Sequence, residues 1–165
     1  MRGYLGLGSN LGDRLGALQS AVDLLAREPG LRIDASSRVY ETDPVGGPAQ
    51  PDYLNAVVRV ETELTPHETL EACRRTETAL GRVRDVRWGP RAIDIDVLLL
   101  DALTVDEPDL TVPHPRIADR AFVLLPLLEL EPDPMLPGGR TLASVTLGSE
   151  GAQLFAPPLS TRPAP

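Results

Sequence analysis

The stretch "RWGPRAIDIDVLLL", residues 87–100, sets two aspartates inside an otherwise apolar run. Aspartate is depleted in strands, and a buried carboxylate without a partner is costly. On a strand, residues two apart share a face, so Asp94 and Asp96 are neighbours with α-carbons about 6–7 Å apart. Ile93, Ile95 and Val97 take the opposite face. Two like charges this close call for something positive between them. Magnesium prefers carboxylate and phosphate oxygens, and a pair of ions about 3.5–4 Å apart would fit between two such carboxylates and a polyphosphate. A structural Asp–Arg pair at a strand end is the other reading of the same residues. The arginines weigh on the choice. Arg82, Arg84, Arg87 and Arg91 crowd just upstream, beside Trp88, Gly89 and Pro90. Guanidinium binds phosphate bidentately, so carboxylates, metal, arginine and polyphosphate together form a neutral set.

Other residues could serve the same chemistry. His114 lies in "TVPHPRI" between two prolines, with Arg116 and Arg120 close behind, so a second phosphate contact is available there. Tyr53 and Asn55 alternate on one strand face, where one can stack on a flat heterocycle while the other hydrogen-bonds its edge. The glycines of "GLGSNLGD" do not have the spacing of a dinucleotide-binding turn, and Gly8, Ser9 and Asn10 read as structural. His67 reads as an exposed residue of a helix start.

The totals exclude several mechanisms. The chain has 165 residues and a net charge of −8, which disfavours broad binding to nucleic acid or to an anionic membrane. All 16 basic residues are arginine, so no P-loop, strand or Schiff-base lysine exists. Cys73 is alone, so neither an intrachain disulfide nor a thiolate metal cluster can form. No run approaches the roughly 20 apolar residues of a membrane span, and no signal peptide is evident, which predicts a cytoplasmic protein.

The elements that must position these residues follow from periodicity. Residues 3–8 read as a strand. A helix from about residue 11, capped by Ser9 or Asn10, carries Leu11, Leu15, Leu18, Val22 and Leu25 on one face. Residues 31–40 read as one strand, 41–52 as a Pro/Gly-rich loop, and 53–64 as a third strand. Thr65, Pro66 and Glu68 form a capping box for a helix ending at Gly81. The aspartate strand, about 93–100, closes the order strand, helix, strand, strand, helix, strand. That is a ferredoxin-like βαββαβ α+β core. Short strands near 103–112 and helical turns at 121–130 extend it. Residues 1–155 form one expected domain, and the Pro-rich residues 156–165 an expected disordered tail.

Three blocks, "RWGPRAIDIDVL", "ETDPVGGPAQPDYLNAV" and "TVPHPRIADRAFVL", together with "GLGSN", resemble 6-hydroxymethyl-7,8-dihydropterin pyrophosphokinase of folate biosynthesis. The resemblance runs from the first strand to about residue 127. It implies the same ferredoxin-like fold and transfer of pyrophosphate from ATP to the pterin hydroxymethyl oxygen, releasing AMP. By that resemblance Asp94 and Asp96 hold two Mg²⁺ ions. Arg82 and Arg91 act on the transferred group. Arg84, Arg87 and Trp88 belong to the same closing loop, His114 and Arg120 contact phosphates, and Glu77, Val97 and Thr111 lie near the nucleoside. The pterin stacks between Tyr53 and Phe122, with Thr42, Asn55 and the backbone near Asp43 and Val45 at its edge. ATP and the pterin are the expected partners of a monomer that binds neither nucleic acid nor membrane. The competing expectations are a two-metal phosphodiester enzyme and a non-catalytic anion-binding regulatory domain.

Overall fold

Alternation of apolar and polar residues builds a central antiparallel sheet, and two amphipathic helices cover one of its faces. A computed structural model describes residues 1–43, 50–81, 92–134, 136, 142 and 152–162. The elements run β1 (Arg2–Ser9), α1 (Arg14–Leu25), β2 (Leu31–Ser36), β3 (Val39–Thr42), β4 (Tyr53–Thr62), α2 (Pro66–Ala79), β5 (Asp94–Leu100), β6 (Val105–Glu107), β7 (Leu110–Val112), α3 (Ala121–Leu130) and β8 (Ala152–Ala156). The sheet order is β5-β1-β4-β3-β8, with β2 also on β4, and β6 pairs with β7 in a separate hairpin. This is the ferredoxin-like arrangement expected, with the C-terminal additions in place. No helix among the described residues is long and apolar enough to cross a membrane.

The two faces of the sheet carry two cores. Leu5, Leu7, Ala56, Val58, Ile95 and Val97 point toward α1 and α2 and pack on Leu18, Val22, Leu25 and Cys73. Tyr4, Val57 and Leu98 point the other way and pack under α3, on Val123, Leu124 and Leu127. Burial of such side chains contributes about 1.5–3 kcal/mol each. Because α3 is short, it covers only part of its face. The rest of that face stays open and forms the cleft described below.

Several expectations need correction. α1 starts at Arg14, not near residue 11, because Asp13 supplies the N-cap and accepts from Gly16 N at 3.0 Å. Leu11 and Leu15 are consequently exposed, at 50% and 38%, and the buried stripe begins at Leu18. The expected strand over 31–40 is two strands, both on the same edge of β4. Ser37 makes the break. Its N–H donates to the Val57 carbonyl at 2.8 Å and its hydroxyl accepts from Val57 N at 2.9 Å, so one residue takes over the ladder while the register slips. The capping box of α2 is present as read, and Gly81 beyond its end has φ +81°, which suits glycine there.

The C-terminal segment is also corrected. β8, absent from the sequence reading, adds to β3. Residues 156–160, expected as a disordered tail, run on across the molecule. Leu159 is buried in the helix-side core, Leu159 N donates to Ser36 Oγ at 3.2 Å, and Ser160 exchanges two hydrogen bonds of 2.9 Å with the Gln19 amide. Proline-rich composition argues for disorder only where no surface is waiting, and here the open edge of β3 and the side of α1 supply one.

Candidate active site

β5 and β4 flank β1, and their register decides what the open face presents. Gly8 is opposite Asp94 on one side and Asn55 on the other, while Gly6 is opposite Asp96 and Val57. Directly opposed residues share a face, so the carboxylates of β5 look across two bare glycine positions toward Asn55. A side chain at residue 8 would fill this gap, because its Cβ would stand 3.1 Å from Asn55 Oδ1 and 3.5 Å from Tyr53 Cδ1. The result is a cleft of about 420 Å³. Its floor is Gly6, Gly8, Asp94 and Asp96. One wall is Thr42, Asp43, Gln50, Tyr53 and Asn55, and the other is His114, Pro115, Arg116, Arg120, Phe122 and Val123.

On the first wall Asn55 is 6% and Thr42 5% exposed, and Asn55 Nδ2 donates to Thr42 Oγ1 at 2.6 Å. That bond fixes the amide orientation and leaves Oδ1, an acceptor, above Gly8. On the other wall Arg120 stacks on Phe122, 5.4 Å from guanidinium carbon to ring centroid. Arg120 Nε is buried with no hydrogen-bond partner among the described residues, a donor that an anion in the cleft would satisfy. His114 is anchored through its N–H to the Leu98 carbonyl at 2.9 Å. Its Nδ1 accepts from Arg116 N at 3.2 Å, which places the proton of the neutral ring on Nε2. Burial first, then Arg120 and Arg116, hold this imidazole below the ordinary histidine value, while Asp94 pulls the other way. Cys73 has no place in the chemistry, since burial pushes its thiol up to about 12.

Residues 4–132 match the sequence model of the family described as 7,8-dihydro-6-hydroxymethylpterin-pyrophosphokinase (HPPK). The chain belongs to this family. Similar proteins include the 2-amino-4-hydroxy-6-hydroxymethyldihydropteridine pyrophosphokinase of Methylorubrum extorquens, 52% identical over 86% of this chain and 89% of its own. The Bacillus subtilis protein of the same name is 46% identical over 77% of this chain and 76% of its own. Among solved structures, an HPPK-DHPS of Plasmodium falciparum superposes with a TM-score of 0.64 at 16% identity, over 87% of this chain and 44% of that one. The chain thus spans less than half of that solved chain, and at this identity the likeness speaks for the fold.

Among the described residues, the cleft brings together most of those singled out for this family. Asp94, Asp96, Thr42, Asp43, Tyr53, Asn55, His114, Arg120 and Phe122 all line it. Three do not. Val97 is buried on the helix-side face, opposite Asp96, and can offer a ligand only its backbone. Glu77 is buried behind β5 and accepts from Ile95 N at 3.1 Å. Thr111 is exposed on β7, in the hairpin beside β5. Val45, Arg82, Arg84, Arg87, Trp88 and Arg91 lie outside the described residues. Residues missed as site formers are Gly6, Gly8, Gln50 and Asn10. Two glycines at alternate positions of one strand were the available signal for the first pair. Asn10 is 1% exposed and donates to Gln50 Oε1 at 2.8 Å and to the Pro51 carbonyl at 3.0 Å, holding the segment that leads into Tyr53. Only the fold puts those residues in reach of each other.

Proposed function

We propose that this cleft carries out the reaction of the family, with the residue roles that follow. The chain is an ATP-dependent pyrophosphokinase of folate biosynthesis. It transfers the pyrophosphoryl group of ATP to the hydroxymethyl oxygen of 6-hydroxymethyl-7,8-dihydropterin and releases AMP. The observation that carries the assignment is the row Asp94–Gly8–Asn55. One row joins an oxygen-donor site for hard cations to a hydrogen-bonding site for a flat heterocycle, across glycine positions that leave room for the reacting groups.

The pterin lies at the β4 end. Tyr53 and Phe122 supply stacking surfaces, and Asn55 Oδ1 accepts from a ring N–H, its orientation held by Thr42. The phosphates lie at the β5 end, where Arg120 and the Nε2–H of His114 donate to their oxygens. The nucleoside extends along the outer edge of β5 toward Glu77, the Val97 backbone and Thr111. Asp94 and Asp96 are half-buried oxygen donors on one face, which suits a pair of Mg²⁺ ions. Bound there, the ions supply charge neutralisation and alignment of the phosphate chain. Arg82 and Arg91 act on the transferred group, as the family resemblance implies. The same reading makes the chain a monomer of one domain, which takes in residues 156–160 as well as 1–155, working in the cytoplasm.

The test is product identity. Protein, ATP, Mg²⁺ and the reduced pterin alcohol should yield AMP and the pterin diphosphate. ADP, or no product, refutes the assignment.

A further inference from the structure

Arg14 opens α1, where a positive charge opposes the helix dipole. Its side chain leaves the helix. Arg14 Nη1 donates to Glu41 Oε2 at 2.8 Å and to the Asp52 carbonyl at 3.0 Å. Glu41 precedes Thr42 and Asp52 precedes Tyr53, and Thr42 and Tyr53 are opposite each other in the β3–β4 ladder. One guanidinium nitrogen therefore ties together the two chain segments that enter the pterin end of the cleft. The side chain is 24% exposed, so both bonds are partly desolvated. Asn10 holds the two residues before Asp52, so the β1–α1 turn grips 50, 51 and 52 in succession.

The guanidinium has a support of its own. It lies 5.4 Å from the centroid of the Phe155 ring. Phe155 belongs to β8, which pairs with β3 through Glu41 opposite Gln153 and Thr42 opposite Ala152. β8 lies beyond residue 132, where the match to the family ends. A strand outside the shared family region thus braces the residue that holds Thr42 and Tyr53 in place.

We propose that Arg14, braced by Phe155, is a positioning residue for the pterin. It fixes where Tyr53 and Thr42 stand and makes pterin affinity depend on the C-terminal strand. This rests on the reading of the cleft given above. Without the guanidinium, the Glu41 carboxylate and the Asp52 carbonyl lose a charged donor, and the lead-in to Tyr53 loses one of its holds. Small misplacements of a positioning group are costly to a bound ligand. The nucleotide end is spared by topology, because β5 lies at the far edge of the sheet from β3 and β8.

Steady-state AMP formation, with each substrate varied, tests this on wild type, Arg14→Ala, Arg14→Lys, Phe155→Ala and the Arg14→Ala/Phe155→Ala double variant. Arg14→Ala should raise the pterin KM about tenfold, as expected for loss of a charge-assisted bond, with the ATP KM within about twofold of wild type. Arg14→Lys should fall between, keeping the charge but losing the planar stack. Phe155→Ala should raise the pterin KM by a smaller factor, and the double variant should match Arg14→Ala alone, since the ring acts through the guanidinium. Circular dichroism checks folding. Should Arg14→Ala not fold, Phe155→Ala, whose residue is 46% exposed, still decides the matter. An unchanged pterin KM, a parallel rise for both substrates, or additive effects in the double variant overturns the inference. A wild type that forms no AMP overturns the function and this inference together, whereas an active wild type with a silent Arg14→Ala overturns this inference alone.

Discussion

Gly8→Ala is the smallest change that separates the architecture of the cleft from its chemistry. The new Cβ would stand 3.1 Å from Asn55 Oδ1, closer than ordinary contact, so Asn55 must give by a few tenths of an ångström. It has little freedom to do so, because its Nδ2 is held by Thr42 at 2.6 Å. Two terms act on stability. Replacing glycine in a strand interior is favourable by roughly 0.5–1 kcal/mol, and overpacking costs about 1–3 kcal/mol. They oppose each other, so the unfolding free energy should fall by no more than about 2.5 kcal/mol. Binding has no such offset. The methyl occupies the floor where the ring must lie and displaces the acceptor that orients it. Loss of one good hydrogen bond with added steric conflict predicts pterin affinity down ten- to hundredfold, about 1.4–2.8 kcal/mol. Gly6→Ala is the control for crowding on the same strand. Its Cβ would meet Leu98 Cδ1 at 3.4 Å, an ordinary contact with a flexible group, and it faces Asp96 and Val57, not Asn55. Titration calorimetry with the pterin in the presence of a non-hydrolysable ATP analogue, beside thermal melts, measures both quantities. Wild-type pterin affinity in Gly8→Ala, or equal losses in the two glycine variants, would refute the placement of the ring against Asn55 Oδ1.

Two further outcomes are expected. Asp94→Asn and Asp96→Asn should each lower AMP formation by at least a hundredfold while leaving the melting temperature unchanged or higher, because each relieves repulsion between neighbouring carboxylates; a magnesium titration of activity measures this, and near-normal activity in either variant removes the ion site. His114, whose imidazole is held below its ordinary value of 6.5, favours the neutral form in the folded state. Its contribution to stability is therefore present above that value and lost as pH falls through the lowered folded value, since the unfolded chain binds the proton first. Chemical denaturation across this range should show a shallower acid-side loss in His114→Asn than in wild type, and identical slopes would count against a buried neutral imidazole.

Local pattern determined a good deal of this protein. Asp94 and Asp96 had to share a face because a strand has period two, and the capping box had to start a helix because Thr65 and Glu68 satisfy each other's backbone donors. The order of elements, with antiparallel pairing, left the ferredoxin-like core as the arrangement to expect. What pattern could not carry was anything that depends on which residues meet across strands. Gly8 became a site former only when register placed it between Asp94 and Asn55. Asn10 and Arg14 became supports of the cleft only when the β1–α1 turn met residues 50–52, some 40 positions on. Val97 turned to the opposite face, as the same period of two already required. Residues 156–160, read as part of a disordered tail from their prolines, found order because the helix-side core, Ser36 and the Gln19 side of α1 gave them partners. Periodicity reports the environment of a face, but the partner on that face is chosen by tertiary packing.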